Sequence, residues 1–330
     1  MCGSDEGPEW FAAKAAPTGQ AFAVHFFDWL RSESRPMRNS FLLLIFSLWS
    51  SVALVADENQ LSVAHPDWSP DGKQLAFEST WDGARNIYVM NVDGSGVRQL
   101  TFGETMDTYP RYAPDGQWLV FLSRRQPLFS MHLIRADGKD ERALLPADGN
   151  LEPAFSPDGQ WVAYRSYLGG DDADGEIMIV GVSGEKPRRV TENAVEDGYP
   201  VYSPDGQNLF FHRTVGDYRQ IIRVDLATGA EIQLTKSNFN SWHAHPSPDG
   251  RNIVYDSDRD GNRNIYAMNL NSHQVTQLTI DPGRDEYPKF SPDGDRITFH
   301  SDRSGATEIL IMDADGKGQV PVSPQWPKQK

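Results

Sequence analysis

An eight-residue pattern returns six times along this chain and constrains its fold more than any other feature. It first reads His65-Pro66-Asp67-Trp68-Ser69-Pro70-Asp71-Gly72. It recurs as Tyr109 to Gly116, Glu152 to Gly159, Tyr199 to Gly206 and Tyr287 to Gly294, with a degraded fifth copy ending Ser247-Pro248-Asp249-Gly250. The Asp-Gly pairs begin at 71, 115, 158, 205, 249 and 293, so the spacings are 44, 43, 47, 44 and 44. A fixed period in the forties built from strand-forming residues predicts a β-propeller with one blade per repeat.

Each repeat carries the parts of one blade. Pro66 to Ser69 suits a short inner strand, and Pro70-Asp71-Gly72 is turn chemistry: proline presets φ, aspartate bonds nearby backbone, and glycine accepts positive φ. Gln74 to Ser79 alternates polar and apolar residues, Asn86 to Val92 reads as a third strand, and Val97 to Thr101 as a fourth. Four strands joined by tight turns make a blade. The expected fold is therefore all-β, a six-bladed propeller of four-stranded antiparallel blades. The last repeat has its own fourth strand at about Gln319 to Ser323, so strand exchange through residues 58–63 is possible at ring closure but not required.

The front of the chain reads differently. Residues 41–56 are apolar and uncharged, and Met37-Arg38-Asn39-Ser40 stands directly before them. A short basic segment, an apolar core of secretory length and the small-x-small sequence Ser51-Val52-Ala53 predict a signal peptide over residues 37–56. The apolar run is shorter than the roughly 20 residues that span a bilayer, so no membrane span is expected in the mature chain; an uncleaved anchor is the alternative. Residues 1–36 read as an upstream extension, with Met37 as the expected start, and residues 57–330 as the propeller. The single cysteine, Cys2, lies in the extension, so the mature part has no disulfide, thiol nucleophile or cysteine-based zinc site. Removing residues 1–56 leaves 27 basic and 41 acidic residues, a net charge of −14, which argues against nucleic acid as a partner.

Pro-x-aromatic-Ser-Pro-Asp-Gly, then Ile87 to Gly94, then Arg98-Gln99-Leu100-Thr101, resembles the propeller repeat of the TolB-like family. The resemblance covers the chain after the signal. It implies a six-bladed propeller and, with the signal, a periplasmic envelope protein whose partner is an envelope protein or peptide. TolB proteins carry an α/β domain before the propeller, and none is expected here, because the first repeat begins some nine residues after the apolar run. Related repeats occur in propellers of prolyl-oligopeptidase-type peptidases and oligogalacturonate lyases. No Gly-x-Ser-x-Gly elbow is present, which speaks against a serine peptidase.

Antiparallel hairpin geometry suggests where a site would form. With the turn centred near Pro70 to Gly72, His65 should face Glu78, and the equivalent pairs are Tyr109/Leu122, Glu152/Arg165, Tyr199/His212, His243/Asp256 and Tyr287/His300. One rim would then collect His65, Glu78, Tyr109, Glu152, Arg165, Tyr199, His212, His243, Asp256, Tyr287 and His300 as a binding surface. The fifth repeat replaces the usual motif with His243-Ala244-His245-Pro246. His-x-His on a regular strand points both imidazoles to one face, which suits a divalent metal such as Mn or Ca, with His212 or His300 as a further ligand. The first expectation is a non-enzymatic protein- or peptide-binding scaffold with no cofactor. The alternatives are a metal-dependent polysaccharide lyase, with Arg165 as clamp or base, and a glycan or small-ligand module. Asp256 to Gly261 resembles half a calcium loop but reads as a hairpin turn, because Ala267 stands where the loop's closing glutamate would be. Asp172, Asp174 and Glu176 read as a solvated acidic loop, and Trp68, Trp118 and Trp161 as packing between blades.

Overall fold

The computed structural model describes residues 61–327 apart from 126–127, 147–148 and 168–174. The expected signal peptide, the upstream extension and the acidic residues Asp172 and Asp174 lie outside the described residues. Six four-stranded antiparallel sheets follow one another, each with its strands in sequence order. The first blade is Val63–Trp68, Gln74–Ser79, Asn86–Asn91 and Arg98–Gln99. The innermost strands of the other five are Asp107–Tyr112, Leu151–Phe155, Asp197–Tyr202, Ser241–Pro246 and Asp285–Phe290. The described residues contain no helix. The six-bladed propeller expected from the repeat is therefore the fold.

The Ser-Pro-Asp-Gly motif does two jobs. Ser69 Oγ donates to Asp71 Oδ1 (2.6 Å), Lys73 N donates to the same oxygen (3.1 Å), and Gln74 N donates to Ser69 Oγ (2.9 Å), which closes the turn with side-chain bonds. The turn also touches the next blade. A Cβ added at Gly116 would lie 3.5 Å from Pro70, at Gly159 3.6 Å from Pro114 and at Gly294 3.4 Å from Pro248, so each proline of these turns seats against the following turn's glycine.

The apolar core is a set of layers between blades, one at each of six junctions. Ala76, Ile87 and Val89 of the first blade pack on Leu119, Phe121 and Ile134 of the second. The last layer joins Leu75, Phe77 and Tyr88 to Ile309, Ile311 and Val322, so the sixth blade meets the first and the ring closes. Trp68 is buried in this layer, and Trp118 and Trp161 pack against the layers of their own blades, as expected.

Among the described residues closure uses no exchanged strand: Val320–Pro321 is the fourth strand of the sixth blade. Instead, the tail crosses to the first blade. Gln325 N donates to Gly94 O (2.7 Å), and the indole of Trp326 stacks on Trp81 with centroids 4.8 Å apart and planes 4° from parallel. Val63 N donates back to Thr307 O (3.1 Å).

Gly94 has φ +81°, and a Cβ there would lie 2.2 Å from the Ser323 carbonyl oxygen. Gly184, in the equivalent turn of the third blade, has φ +93° and no neighbour within 4 Å of such a Cβ. Gly184→Ala should cost about 1 kcal/mol, from backbone strain alone. Gly94→Ala should cost roughly 1–3 kcal/mol more, because the tail must move. Urea denaturation of the two variants checks this, and equal losses would count against the clasp.

Candidate functional site

The centre of the ring is set by a backbone irregularity repeated in every blade. In the first hairpin Ala64 pairs with Glu78 and Asp67 with Ala76, so His65 and Pro66 together oppose Phe77 alone. This is a β-bulge, and the same two-against-one count occurs in all six blades. Proline, which has no N–H to give the ladder, occupies the second bulge position in five blades and Ala244 does so in the fifth. The first bulge residue is left-handed each time: His65 (φ 52°), Tyr109 (54°), Glu152 (58°), Tyr199 (59°), His243 (48°) and Tyr287 (57°). Each such residue costs about 1–3 kcal/mol, which the surrounding structure must hold in place.

The expected hairpin register is thus corrected. His65, Tyr109, Glu152, Tyr199, His243 and Tyr287 do not stand opposite Glu78, Leu122, Arg165, His212, Asp256 and His300. Their preceding neighbours Ala64, Thr108, Leu151, Gly198, Trp242 and Glu286 do. Four of the expected pairs meet through side chains all the same: His65 Nδ1 to Glu78 Oε2 at 3.0 Å, Arg165 Nη2 to Glu152 Oε1 at 3.1 Å, His243 Nδ1 to Asp256 Oδ1 at 2.7 Å, and the Tyr287 and His300 rings with centroids 4.9 Å apart.

The rings of five of the six left-handed residues pack on one another at the axis, while Glu152 turns to Arg165. The His243 and Tyr287 rings stack at 3.7 Å, His65 lies 4.1 Å from Tyr109 and 4.5 Å from Tyr287, and Tyr199 lies 4.4 Å from His243. The Tyr109 and Tyr287 hydroxyls are 3.1 Å apart. These residues of the expected rim form a packed aromatic plug. The backbone N–H groups of four of the six strained residues are satisfied from the preceding blade. Tyr109 N donates to Glu78 Oε2 (3.0 Å), Tyr199 N to Glu152 Oε2 (2.7 Å), Tyr287 N to Asp256 Oδ1 (3.4 Å) and His65 N to His300 Nδ1 (3.4 Å).

Toward the face where second and third strands join, carboxylates and arginines pair. Arg165 reaches Glu152 and Glu196 (2.6 Å), and Arg219 reaches Glu196 (2.7 Å). Arg85 binds Glu78, and Arg263 binds Glu286 while lying 3.8 Å from the Trp242 ring centre. Burial alone would lower the Arg165 pKa, but Glu152 and Glu196 outweigh it and raise it, so this guanidinium keeps its proton. Burial alone would raise the Asp256 carboxyl, but His243 and Arg263 lower it. On the opposite side of the plug lies a second layer, the residues two places after each left-handed one: Asp67, Arg111, Ala154, Val201, His245 and Lys289. Lys289 Nζ binds Asp67 Oδ1 (2.6 Å). Sequence reasoning missed this layer, yet its signal was the unassigned x of Pro-x-aromatic.

The histidines are spread through these layers. His243 is at the bulge, where strand alternation fails, and shares its Nδ1 with Asp256. His245 stands two residues on, in the layer of Asp67 and Lys289. His300 Nε2 lies 3.3 Å from Glu286 Oε2, and His212 Nδ1 is buried with no hydrogen-bond partner. Among the described residues, no three His, Cys, Asp or Glu side chains are arranged to hold a metal ion. The Asp256 to Gly261 segment is a hairpin turn, with Gly261 N donating to Asp258 O (2.9 Å).

Burial lowers His65 and His300 to about 4, His245 to about 3 and His212 well below its ordinary value. Unfolded, each titrates near 6.5. Between about pH 6.5 and 4 the unfolded chain binds protons that the folded chain refuses, so stability present above 6.5 is lost as pH falls, by roughly 1.4 kcal/mol per pH unit per histidine. The lowered carboxyls of Glu78 and Asp256 add losses of the same sign at lower pH. Urea denaturation should give a markedly lower unfolding free energy at pH 5 than at pH 7, with a shallower dependence in His212→Gln. A flat profile would contradict the buried neutral histidines.

Three comparisons bear on this architecture. The sequence profile described as the TolB beta propeller domain matches residues 41–145, 147–257 and 237–325. No curated protein sequence matches the chain. Among solved structures, the chain is similar to TolB from Acinetobacter baumannii, with a TM-score of 0.65 and 20% identity over 83% of this chain and 67% of that one. It is also similar to an oligogalacturonate lyase in complex with manganese, with a TM-score of 0.58 and 17% identity over 80% of this chain and 77% of that one. The tricorn protease aligns with a TM-score of 0.66 and 13% identity over 82% of this chain and 27% of that one. At these identities the likeness concerns the fold alone.

Proposed function

This chain belongs to the TolB beta propeller domain family, and on that premise we propose that it is a non-enzymatic recognition module of the cell envelope. It binds a protein or peptide on one face of the ring, with no covalent chemistry, after export to the periplasm by the segment at residues 37–56.

The observation that carries this reading is the distribution of exposed apolar side chains. In a four-stranded meander the connections alternate between two faces. The turns after first and third strands lie on one face. The turns after second strands and the links between blades lie on the other. Phe102 (74% exposed), Ile280 (83% exposed), Met106 and Leu128 sit on connections of the second face, and Val215 ends a second strand there. The turns of the first face carry the capping aspartates, such as Asp71, Asp158 and Asp249, and no exposed large hydrophobic residue among the described ones. Exposed apolar groups on the same face as the Arg85, Arg165 and Arg263 ion pairs are what a protein-binding surface requires. A rigid ring also limits the ordering cost of association.

A photo-crosslinking amino acid placed at Phe102 or Ile280 should capture the same envelope protein, and one at Asp137 or Asp315 should not. Phe102→Asp/Ile280→Asp should reduce capture at least tenfold with little change in melting temperature. Equal capture from both faces would sink the proposal.

A metal-dependent lyase on His243, His245, His212 and His300 makes a different prediction. It requires His243 to leave Asp256 and His245 to be joined by ligands from the other side of the plug. After incubation with MnCl2 or CaCl2 and desalting, the protein should retain well under one equivalent of metal by mass spectrometry. One equivalent, lost in His243→Ala/His245→Ala, would replace the scaffold reading with the enzyme.

A further inference from the structure

The layer of the channel beyond the aromatic plug has a charge arrangement that neither the family nor the recognition face explains. Lys289 and Arg111 are both buried (4% and 7% exposed), whereas this layer supplies one carboxylate, Asp67. Asp67 is already committed. Its Oδ1 takes the Lys289 ammonium at 2.6 Å and its Oδ2 accepts from Tyr112 N at 2.7 Å. Arg111 spends its donors on neutral acceptors, the Pro110 carbonyl (2.9 Å) and the Tyr199 hydroxyl (2.6 Å). Burial raises the Tyr199 hydroxyl well above its ordinary value, so it supplies no compensating charge. His245 adds a buried Nδ1 with no hydrogen-bond partner. A buried cation is stable only when paired, so with one carboxylate for two basic groups Lys289 must either give up its proton or be balanced by a further anion.

The remaining positions of the layer are Ala154 and Val201, short apolar side chains that bring no further charge or hydrogen-bonding group. Asp67, Val201 and His245 are only half-buried, so this layer is reached from the face of the Pro-Asp-Gly turns, while the plug closes the other side.

We propose that this layer is a binding site for a small inorganic anion of halide size, held by the Arg111 guanidinium, the Lys289 ammonium and a proton on His245 Nδ1. Charge-assisted bonds from two cations supply the affinity. The exposed capping aspartates of the turns, such as Asp71, Asp158 and Asp249, lie on this face. They slow the approach of anions at low ionic strength, an effect that salt screens over about 10 Å at 0.1 M. Lys289 faces Asp67, Arg111 and His245. Burial and Arg111 lower its ammonium to about 7 in spite of Asp67, and His245 is neutral there. An anion beside Lys289 favours the charged form, so binding at pH 8 should draw a proton onto it.

The test uses the full chain, with chloride replacing gluconate at constant ionic strength. The melting temperature at pH 8 should rise with chloride and level off, as expected of a ligand that binds the folded state alone. Calorimetry in two buffers of different ionisation enthalpy should register uptake approaching one proton per anion. Both effects should vanish in Arg111→Gln and persist in Lys73→Gln, an exposed lysine of the first turn. Crystals grown in sodium bromide should place anomalous density against Arg111 and Lys289. If Arg111→Gln does not fold, Lys289→Met and the bromide density in the parent protein decide. An identical, unsaturating chloride response in parent and variants would overturn the site. So would binding without proton uptake, or bromide in the crystal without a saturable effect in solution, an adventitious ion only.

Discussion

Everything in this molecule hangs on the apolar layer between neighbouring blades. A four-stranded blade alone would expose both faces of a sheet whose centre is Leu, Ile, Val, Phe and Tyr. Stacking in a ring covers both faces of each blade with the next one. Fully buried side chains such as Leu75, Phe77, Leu119 and Phe211 contribute about 1.5–3 kcal/mol each when removed from water. Five of these layers join consecutive repeats and form from neighbours in the chain. The sixth must join the two ends. There the protein adds the tail of Ser323 to Trp326, the Trp81–Trp326 stack and the Lys289–Asp67 ion pair across the seam.

The ring geometry then determines what the axis can hold. Six inner strands converge, and a bulge in each turns one residue into the centre. That placement combines strained backbone, buried imidazoles and desolvated carboxylates, and the structure offsets these costs with bonds between blades. Glu78, Glu152, Asp256 and His300 each accept an N–H from the left-handed residue of the following blade, so the groups that are most costly to bury also tie adjacent blades together. In the fifth blade the motif His243-Ala244-His245 keeps the bulge without its proline. Its departure from the repeat is therefore absorbed with no change in the strand.

Much of this was legible in the sequence, and the misreadings have definite causes. The Asp-Gly spacing gave blade number and order, and the turn motif located each hairpin to the residue. The residue before the first proline in five repeats, and His243 before Ala244 in the fifth, was singled out as special, and each of the six is left-handed. Its register was wrong by one, because regular antiparallel pairing was assumed through a position where proline cannot donate to the ladder. The same assumption placed His243 and His245 on one face, whereas the bulge separates them into different layers. Arg111 and Lys289 were passed over because the x of Pro-x-aromatic varies from blade to blade and reads as noise along the chain.

The sequence by itself determined the blade: its four strands, its turns and the sixfold repetition, all of which depend on residues within about 44 positions of one another. Only the tertiary structure decided how the ring closes and what meets at its centre. Tyr109 touches Tyr287, and His65 touches His300, across separations of 178 and 235 residues. Such contacts follow from the tilt and number of blades around an axis, a property of the closed ring that no single repeat contains.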